Sequence, residues 1–441
     1  MNRRRFLELS TSGVVAALIA QLPWKTTSAQ ENAKNEVSTD LATKFPPIPE
    51  FLHLDELHPN DEANLVNAVV VPRELLPRTN REKVKMSVDF STTFNKDNPD
   101  RLRNNLWGYG ESVKDAIRRG QEVWLVLDIP DNEDQVRLDD LARYFSAVAK
   151  EYSTMDVSGV YKTARFVVGN ELNAYPKTRA ESYIRWYAKV YTHAVLSMRK
   201  VSPNIRLFPY AEAYYDSGKT LDTSLALIKQ EFSLLRTSDK LVDTRDEPIN
   251  GLCFHYYDDK TGIRERASLY RQLSRSYGLP ASIHLLELGK PELTRGNFSS
   301  LEHQHVIVRN LTEALALIKE GIIETVFWHT AESVDDTRGH ALFIHEGSRF
   351  EPKPQLFTFL TLSKLLHHDV AWEMQEIPDG TSKITVSGLT STSDRSVVTW
   401  TRLKNSDGKV LSESEPEIRI YPASKLSLRR SLVATFNGLS E

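Results

Sequence analysis

Cysteine is all but missing from the 441 residues: Cys253 stands alone. That excludes an intramolecular disulfide and any thiolate-rich metal site. Cys253 lies in the apolar run "GLCFHYY" and reads as a buried structural thiol. An excess of one charge is missing as well, because 56 Lys and Arg against 59 Asp and Glu leave a formal net charge of −3. With no basic run beyond the extreme N-terminus, no nucleic-acid partner is expected. Long apolar runs are absent too. The stretch from Gly13 to Leu22 is the N-terminal candidate, and a bilayer span needs about 20 residues. No Gly-x-Gly-x-x-Gly follows the first strand-like run, so a dinucleotide site is not expected. His303 and His305, and the adjacent His367 and His368, fall on predicted helices at spacings that share no face. Neither a metal nor an organic cofactor is expected.

What is present suits a soluble globular protein: 40% hydrophobic and 26% charged residues, enough for one large domain and a small one. Arg3, Arg4, Phe6 and Leu7 precede the short apolar stretch, and Thr27 and Ala29 offer small residues for cleavage after Ala29. This pattern resembles a twin-arginine export signal. It implies a periplasmic or secreted protein handed to the twin-arginine export machinery, without stable membrane insertion after cleavage. Residues 30–60, with "FPPIPE", read as a linker, and the part around 50–60 as a possible strand of the C-terminal β domain.

From about residue 65, short β-branched runs alternate with segments of helical period. The runs are "NAVVV", "KVKMSVDF", "EVWLVLDIP", "ARFVVGNE", "IRLFPYAE", "INGLCFHYY", "SIHLLELG" and "ETVFWHT". Between them lie one-faced stripes such as Leu138, Leu141, Phe145, Val148 and Tyr152, or Tyr183, Tyr187, Val190, Tyr191 and Ala194. Strands buried on both faces, each followed by a helix, predict a parallel sheet. Eight such units predict an α/β fold, a (β/α)8 TIM barrel over residues 61–366. The first unit is the tightest, since only a short helix fits between "NAVVV" and "KVKMSVDF". "PKPQLFTFLTLSKLL" reads as a closing helix with Pro352 and Pro354 at its start. Residues 367–441 carry alternating runs, "KITVSGL", "SVVTWTRL", "EIRIYP" and "LVATF", and predict a small β-sandwich-like domain.

The run "FVVGNELN" sets a carboxylate, Glu171, between the amides of Asn170 and Asn173 at the mouth of the fourth strand. Glu287 holds the matching place on the seventh. Strands four and seven face each other across a barrel, and function gathers at the strands' C-terminal ends. A facing carboxylate pair is what glycosidic cleavage needs: one acid protonates the leaving oxygen, and one carboxylate attacks or stabilises the cationic carbon.

These motifs carry a resemblance. "GNELN" and "LLELG" resemble the acid/base and nucleophile motifs of clan A glycoside hydrolases, and "CFHYY" and "VFWHT" resemble the clan's His-x-Tyr and Trp positions. The region from "SVDFSTTF" to the terminal β runs is most similar to glycoside hydrolase family 39, including its bacterial exopolysaccharide-associated members. The resemblance spans about residues 60–440 and implies a role for each matched residue. Glu171 would be the general acid/base, Glu287 the nucleophile, and the anomeric configuration would be retained. Asn170 would bond the sugar 2-hydroxyl, Tyr257 would orient Glu287, His255 would support Glu171, and Trp328 would lie beneath a sugar ring. The substrate would be a poly- or oligosaccharide. One departure stands out: many of these enzymes brace the nucleophile with an Arg at the end of strand two, where "KMSVDF" offers Ser87 and Asp89. Arg73 is the substitute within reach.

Plainer roles exist for the same residues. Glu171 could be a helix N-terminal carboxylate with Asn170 as cap. Asp128, Glu212 and Glu332 also end strands and read chiefly as solvated loop carboxylates. Tyr210, Tyr214, Tyr215 and Trp107 would suit sugar-stacking walls. Two further function classes share these residues: a catalytically inactive glycan-binding protein of surface polysaccharide assembly, and a transglycosylase.

Overall fold

Seven of the eight apolar runs become parallel strands. The computed structural model describes residues 52–54 and, with interruptions, 83–421. β2 is Lys83–Val88, β3 Glu122–Leu127, β4 Arg165–Asn170, β5 Arg206–Ala211, β6 Leu252–Tyr256, β7 Ile283–Leu288 and β8 Thr325–Trp328. The helices between them are α1 (Leu138–Tyr152), α2 (Glu181–Val201), α3 (Lys219–Thr237), α4 (Ile263–Ser276) and α5 (Leu301–Lys319). β1 is Leu52–Leu54, and it pairs in parallel with β8 through Leu52–Val326, His53–Phe327 and Leu54–Trp328. The segment around 50–60 is therefore a strand of the parallel sheet, not of the C-terminal β domain. "NAVVV" lies outside the described residues. The crowding of the first unit has its explanation here: β1 starts far enough upstream to leave 28 residues between Leu54 and Lys83.

The strands form two four-stranded parallel sheets, in the orders β1-β8-β7-β6 and β2-β3-β4-β5. A parallel bridge between Glu212 and Phe254 links β5 to β6. Alternation along the strands separates two cores. One cluster lies between strands and helices and includes Leu125, Phe166, Val168, Tyr187, Tyr191, Phe254, Leu285, Leu288, Leu311 and Trp328. The other is drawn from strands alone: Trp124, Val126, Val167, Phe208, Ala211, Cys253, Leu286 and Phe327. Cys253 is buried there, as its run predicts.

One helix residue repairs a break in the sheet. Val168 is paired with Pro209, and the 169–210 step is missing from the β4–β5 ladder. The Tyr187 hydroxyl of α2 fills it, accepting from the Tyr210 N–H at 3.0 Å and donating to the Val168 carbonyl at 2.9 Å. Burial pushes the Tyr187 phenol well above its ordinary range, so it stays a neutral donor, though the Tyr210 amide pulls the other way.

Beyond β8 come two further sheets. β9 (Glu332–Ser333), β10 (Phe343–Glu346) and β11 (Arg349–Pro352) make a three-stranded sheet that the runs did not announce. Pro352 thus ends a strand instead of opening a helix. β12 (His368–Ile377), β13 (Thr381–Leu389), β14 (Arg395–Lys404), β15 (Val410–Glu413) and β16 (Glu417–Tyr421) form a five-stranded antiparallel sheet. "LVATF" falls outside the described residues. Among those described, this is one sheet and not a sandwich. Its inner face has Ile384, Val386, Val398 and Trp400 in the same core cluster as the helices. Arg402 on β14 pairs with Glu313 on α5 at 2.7 Å and with Glu413 at 2.7 Å. The helices supply the apolar layer that a second sheet would give a sandwich. Among the described residues no helix is long and apolar enough to cross a membrane.

Candidate active site

Glu171 leaves β4 by a backbone reversal. Its φ and ψ are 45° and 40°, in the left-handed region, and Gly169 two residues earlier has φ 88°. A left-handed non-glycine residue costs of order 1–3 kcal/mol and persists only where its surroundings over-determine it. Three contacts do so here. The Glu171 N–H bonds the Ala211 carbonyl at 3.0 Å. Asn173 clamps both polar groups of Ala213, donating to its carbonyl at 2.6 Å and accepting from its N–H at 2.8 Å. Thr178 caps the short turn by donating to the Leu172 carbonyl. Gly169 has no room to change: a Cβ there would sit 3.2 Å from Leu172 Cδ1 and 3.3 Å from Tyr210 Cβ. The flanking amides of "GNELN" therefore have different work. Asn173 is buried and fixes the turn. Asn170 keeps a buried Oδ1 with no hydrogen-bond partner among the described residues.

Glu287 is aimed by irregular pairing. The β6–β7 register shifts between Phe254 and His255, which brings His255 opposite Glu287. The β7–β8 register shifts between Leu285 and Leu288. Simple alternation from Leu286, which joins the strand-only core, would turn Glu287 toward the helices; shifts of this kind re-aim side chains. Gly289 follows, and a Cβ on it would come within 2.8 Å of the His329 carbonyl and 3.2 Å of the Tyr257 ring. Only glycine lets the ends of β6, β7 and β8 approach that closely.

The side chains converge. His255 is fully buried, and its Nδ1 lies 2.7 Å from Glu171 Oε1 and 3.3 Å from Glu287 Oε2. Both neighbours are carboxylate oxygens, so Nδ1 carries the imidazole proton and donates it. Nε2 has no hydrogen-bond partner among the described residues. The Tyr257 hydroxyl donates to Glu287 Oε2. One oxygen of Glu171 and one of Glu287 lie within 4.8 Å of each other and of a His255 ring nitrogen. Glu171 keeps 26% of its side chain exposed and Glu287 10%, so the pair opens to solvent on the Glu171 side. His329, just past β8, places Nδ1 4.0 Å from Glu287 Oε2 and its ring 5.8 Å from that of Tyr257.

Other candidates fare differently. Trp328 is fully buried in the cluster between strands and helices, so it offers no face to a sugar. Alternation explains this: its neighbour Phe327 points to the strand-only core and Trp328 to the opposite side. Glu212 is not a solvated loop carboxylate. It is fully buried and accepts from the Tyr270 hydroxyl and the Leu221 N–H, with Arg266 at 3.9 Å. Tyr210 is fully buried against Tyr187, with ring centres 5.2 Å apart, and lines no exposed wall. Asp128 is half-buried after β3. Arg73, Asp89, Trp107, Tyr214 and Tyr215, and the side chains of Ser87 and Glu332, lie outside the described residues. Sequence reasoning missed the roles of Asn173 and His329. The first was legible as the second amide of "GNELN", the second as the residue after a strand-end Trp.

A cavity of about 560 Å³ lies apart from the pair, lined by residues including Phe94, Lys96, Gln135, Arg137 and Trp186. Neither glutamate lines it.

No protein-family profile and no curated protein matches the chain. Solved structures do, glycoside hydrolases among them. A glucosidase from Croceicoccus marinus is 12% identical, with 86% of this chain and 82% of that one covered and a TM-score of 0.50. The family 39 enzyme from Xanthomonas axonopodis pv. citri is 14% identical over 82% and 74% of the two chains, with a TM-score of 0.49. AbfB, a family 51 α-L-arabinofuranosidase from Bifidobacterium longum, is 12% identical over 81% and 82%, with a TM-score of 0.47. The first likeness is one of α/β fold, and the reaction has to be argued from the site.

Proposed function

We propose that the chain is a retaining glycoside hydrolase of the clan A kind acting on a poly- or oligosaccharide. The observation that carries this reading is the carboxylate gap, in which an oxygen of Glu171 and an oxygen of Glu287 lie within 4.8 Å, with His255 Nδ1 2.7 Å from the first residue and 3.3 Å from the second. Retaining enzymes hold their carboxyl groups about 5–5.5 Å apart, and inverting ones about 6.5–9.5 Å to admit a water. The gap favours the former.

In the first step a Glu287 oxygen attacks the anomeric carbon while Glu171 gives its proton to the departing glycosidic oxygen. The products are a glycosyl ester on Glu287 and a free alcohol. In the second step Glu171, now ionised, takes a proton from water, whose oxygen displaces Glu287 from the same carbon. Two inversions return the starting configuration. The Tyr257 hydroxyl and the His255 Nδ1–H hold Glu287 in place until it attacks. Asn170 Oδ1 is suited to accept from a sugar 2-hydroxyl. Closure of the two sheets into an eight-stranded barrel, kinship with family 39, and export through a twin-arginine signal belong to the same reading.

An activated 2-fluoro glycoside tests it, with mass spectrometry of the digested protein. Accumulation of a glycosyl adduct on Glu287, absent in Glu287→Gln, is expected. Adduct-free protein across a broad glycoside panel, with full turnover in Glu171→Gln and Glu287→Gln, rules the mechanism out. One sequence feature favours a second reading, an inactive glycan-binding protein: "KMSVDF" lacks a bracing Arg. Calorimetric glycan binding without release of reducing ends would select it. Product analysis at high acceptor concentration separates a transglycosylase from a hydrolase.

A further inference from the structure

The same cluster has the composition of a transition-metal site. We infer that a divalent cation of the zinc class binds between Glu171, His255 and Glu287 and blocks the carboxylate pair. Three features point there. First, the ligand-capable atoms of all three residues lie within 4.8 Å of one another. Second, a tetrahedral ion with bonds of about 2.0–2.1 Å separates its ligand atoms by about 3.3 Å. The distance from His255 Nδ1 to Glu287 Oε2 is already 3.3 Å, while that to Glu171 Oε1 is 2.7 Å. Glu171, the most exposed member, has to move roughly half an ångström from Nδ1, and its oxygen, now within 4.8 Å of that of Glu287, has to settle about 3.3 Å from it to admit such an ion. Third, His329 Nδ1, 4.0 Å from Glu287 Oε2, stands near a fourth position that water could otherwise take.

The donor set selects the ion. One imidazole nitrogen and two carboxylates, in a cluster offering three or four ligand atoms, suit zinc, copper or nickel. Calcium wants six to eight oxygens, and magnesium an octahedral oxygen shell. The proton on Nδ1 must leave as the metal binds, and it moves to Nε2. Nε2 has no hydrogen-bond partner among the described residues to receive it. A metal-bound histidine is ordinarily supported from behind by a carboxylate or carbonyl, and loss of such support weakens binding about 10–100-fold. The site is therefore reversible and strips with EDTA. A bound ion takes both carboxylates at once, so it acts as an inhibitor and not as a cofactor.

The inhibition rests on the glycosidase reading, but the binding does not, so the first experiment uses no substrate. Zinc chloride is titrated calorimetrically into the EDTA-stripped full chain. One equivalent should bind, magnesium chloride should give no heat, and His255→Asn and Glu171→Gln should each weaken binding at least tenfold. Glu171→Gln changes only the most exposed ligand, which keeps the test sound if His255→Asn fails to fold. Unchanged zinc affinity in Glu171→Gln, or loss of the bound equivalent on changing His303 and His305 to Asn, overturns the proposal. Zinc should also slow adduct formation on Glu287 by the 2-fluoro glycoside, with EDTA restoring it. Binding without slowing would place the ion elsewhere and equally overturns it.

Discussion

Glu171 and Glu212 are each the first residue after adjacent strands, β4 and β5, yet they end in opposite environments. Glu212 continues the ladder: its N–H bonds the Cys253 carbonyl at 3.3 Å, and its own carbonyl accepts from the His255 N–H at 3.0 Å. Its side chain turns into the protein and is met by Tyr270, Leu221 and Arg266. Burial pushes the Tyr270 phenol well above its ordinary range, and the Glu212 charge adds to the effect, so Tyr270 remains a donor. Glu171 breaks from the ladder through one left-handed residue and meets a histidine shared with a second carboxylate. A strand-end position makes an acid available. Backbone torsion and the number of fixed donors decide whether it is free to react.

The contrast is sharpest at Glu287, the nucleophile of the proposed reaction. Glu287→Gln should lower kcat by at least about 10³-fold, since the reaction loses its attacking group. The melting temperature should change little, because the amide oxygen still accepts from Tyr257. Glu171→Gln should cost about 10²–10⁴-fold on sugars with poor leaving groups, and much less on aryl glycosides that leave without a proton. Equal losses on both substrates would remove Glu171 from the acid role. Glu212→Ala should reverse the pattern. It leaves a buried Arg266 without its carboxylate, a change worth about 3–5 kcal/mol in urea unfolding, while turnover per folded molecule stays within an order of magnitude. A stable Glu212→Ala protein with no turnover would break the distinction between the two acids.

Much of this arrangement was legible in the residues. Seven strands announced themselves as β-branched runs, because strands buried on both faces need no polar alternation. The acid pair followed from strand ends, and His255 and Tyr257 from the resemblance of "CFHYY" to the clan's His-x-Tyr. What the runs could not give was torsion and register. Trp328 looked like a platform because it ends a strand, but parity with Phe327 sends it to the other core. Glu287 reaches the gap only through two register shifts, which no one-dimensional pattern encodes. β1 is three residues long, too short for any periodicity to show.

Asn173 tests the torsion directly. Asn173→Ala removes both bonds to Ala213; the carbonyl keeps its bond from Arg266 at 2.7 Å, but the N–H loses its acceptor, at about 1–3 kcal/mol. If the clamp holds Glu171 in its left-handed turn, kcat should fall more than KM rises, and the aryl-glycoside rate should be spared. Asn173→Asp, which keeps the acceptor for the Ala213 N–H, should recover part of the stability. A Tm loss with unchanged kcat would assign Asn173 to folding alone.

The smallest effect comes from a third carboxylate environment, that of Glu265 on α4, where α4 and α5 meet the antiparallel sheet. Burial raises the Glu265 carboxyl, but the Lys404 hydrogen bond and the Arg402 charge outweigh it, leaving it below its ordinary value of 4.5. Arg402 is held far above its ordinary range: burial opposes its charge, and Glu313 and Glu413 overcome that. A carboxyl lowered on folding adds stability that is complete above its unfolded value and is lost as pH falls through the folded one. Acidification below about pH 4.5 should therefore loosen the β14 contact. The check is urea unfolding across that window, followed by tryptophan fluorescence, since Trp372 lies under Arg264 at 4.3 Å. Glu265→Gln should flatten this component of the pH dependence and leave Glu287 reactive toward the 2-fluoro glycoside. If the slope survives in Glu265→Gln, the acid sensitivity belongs to another carboxylate, and pairing at this face does not hold the sheet in place.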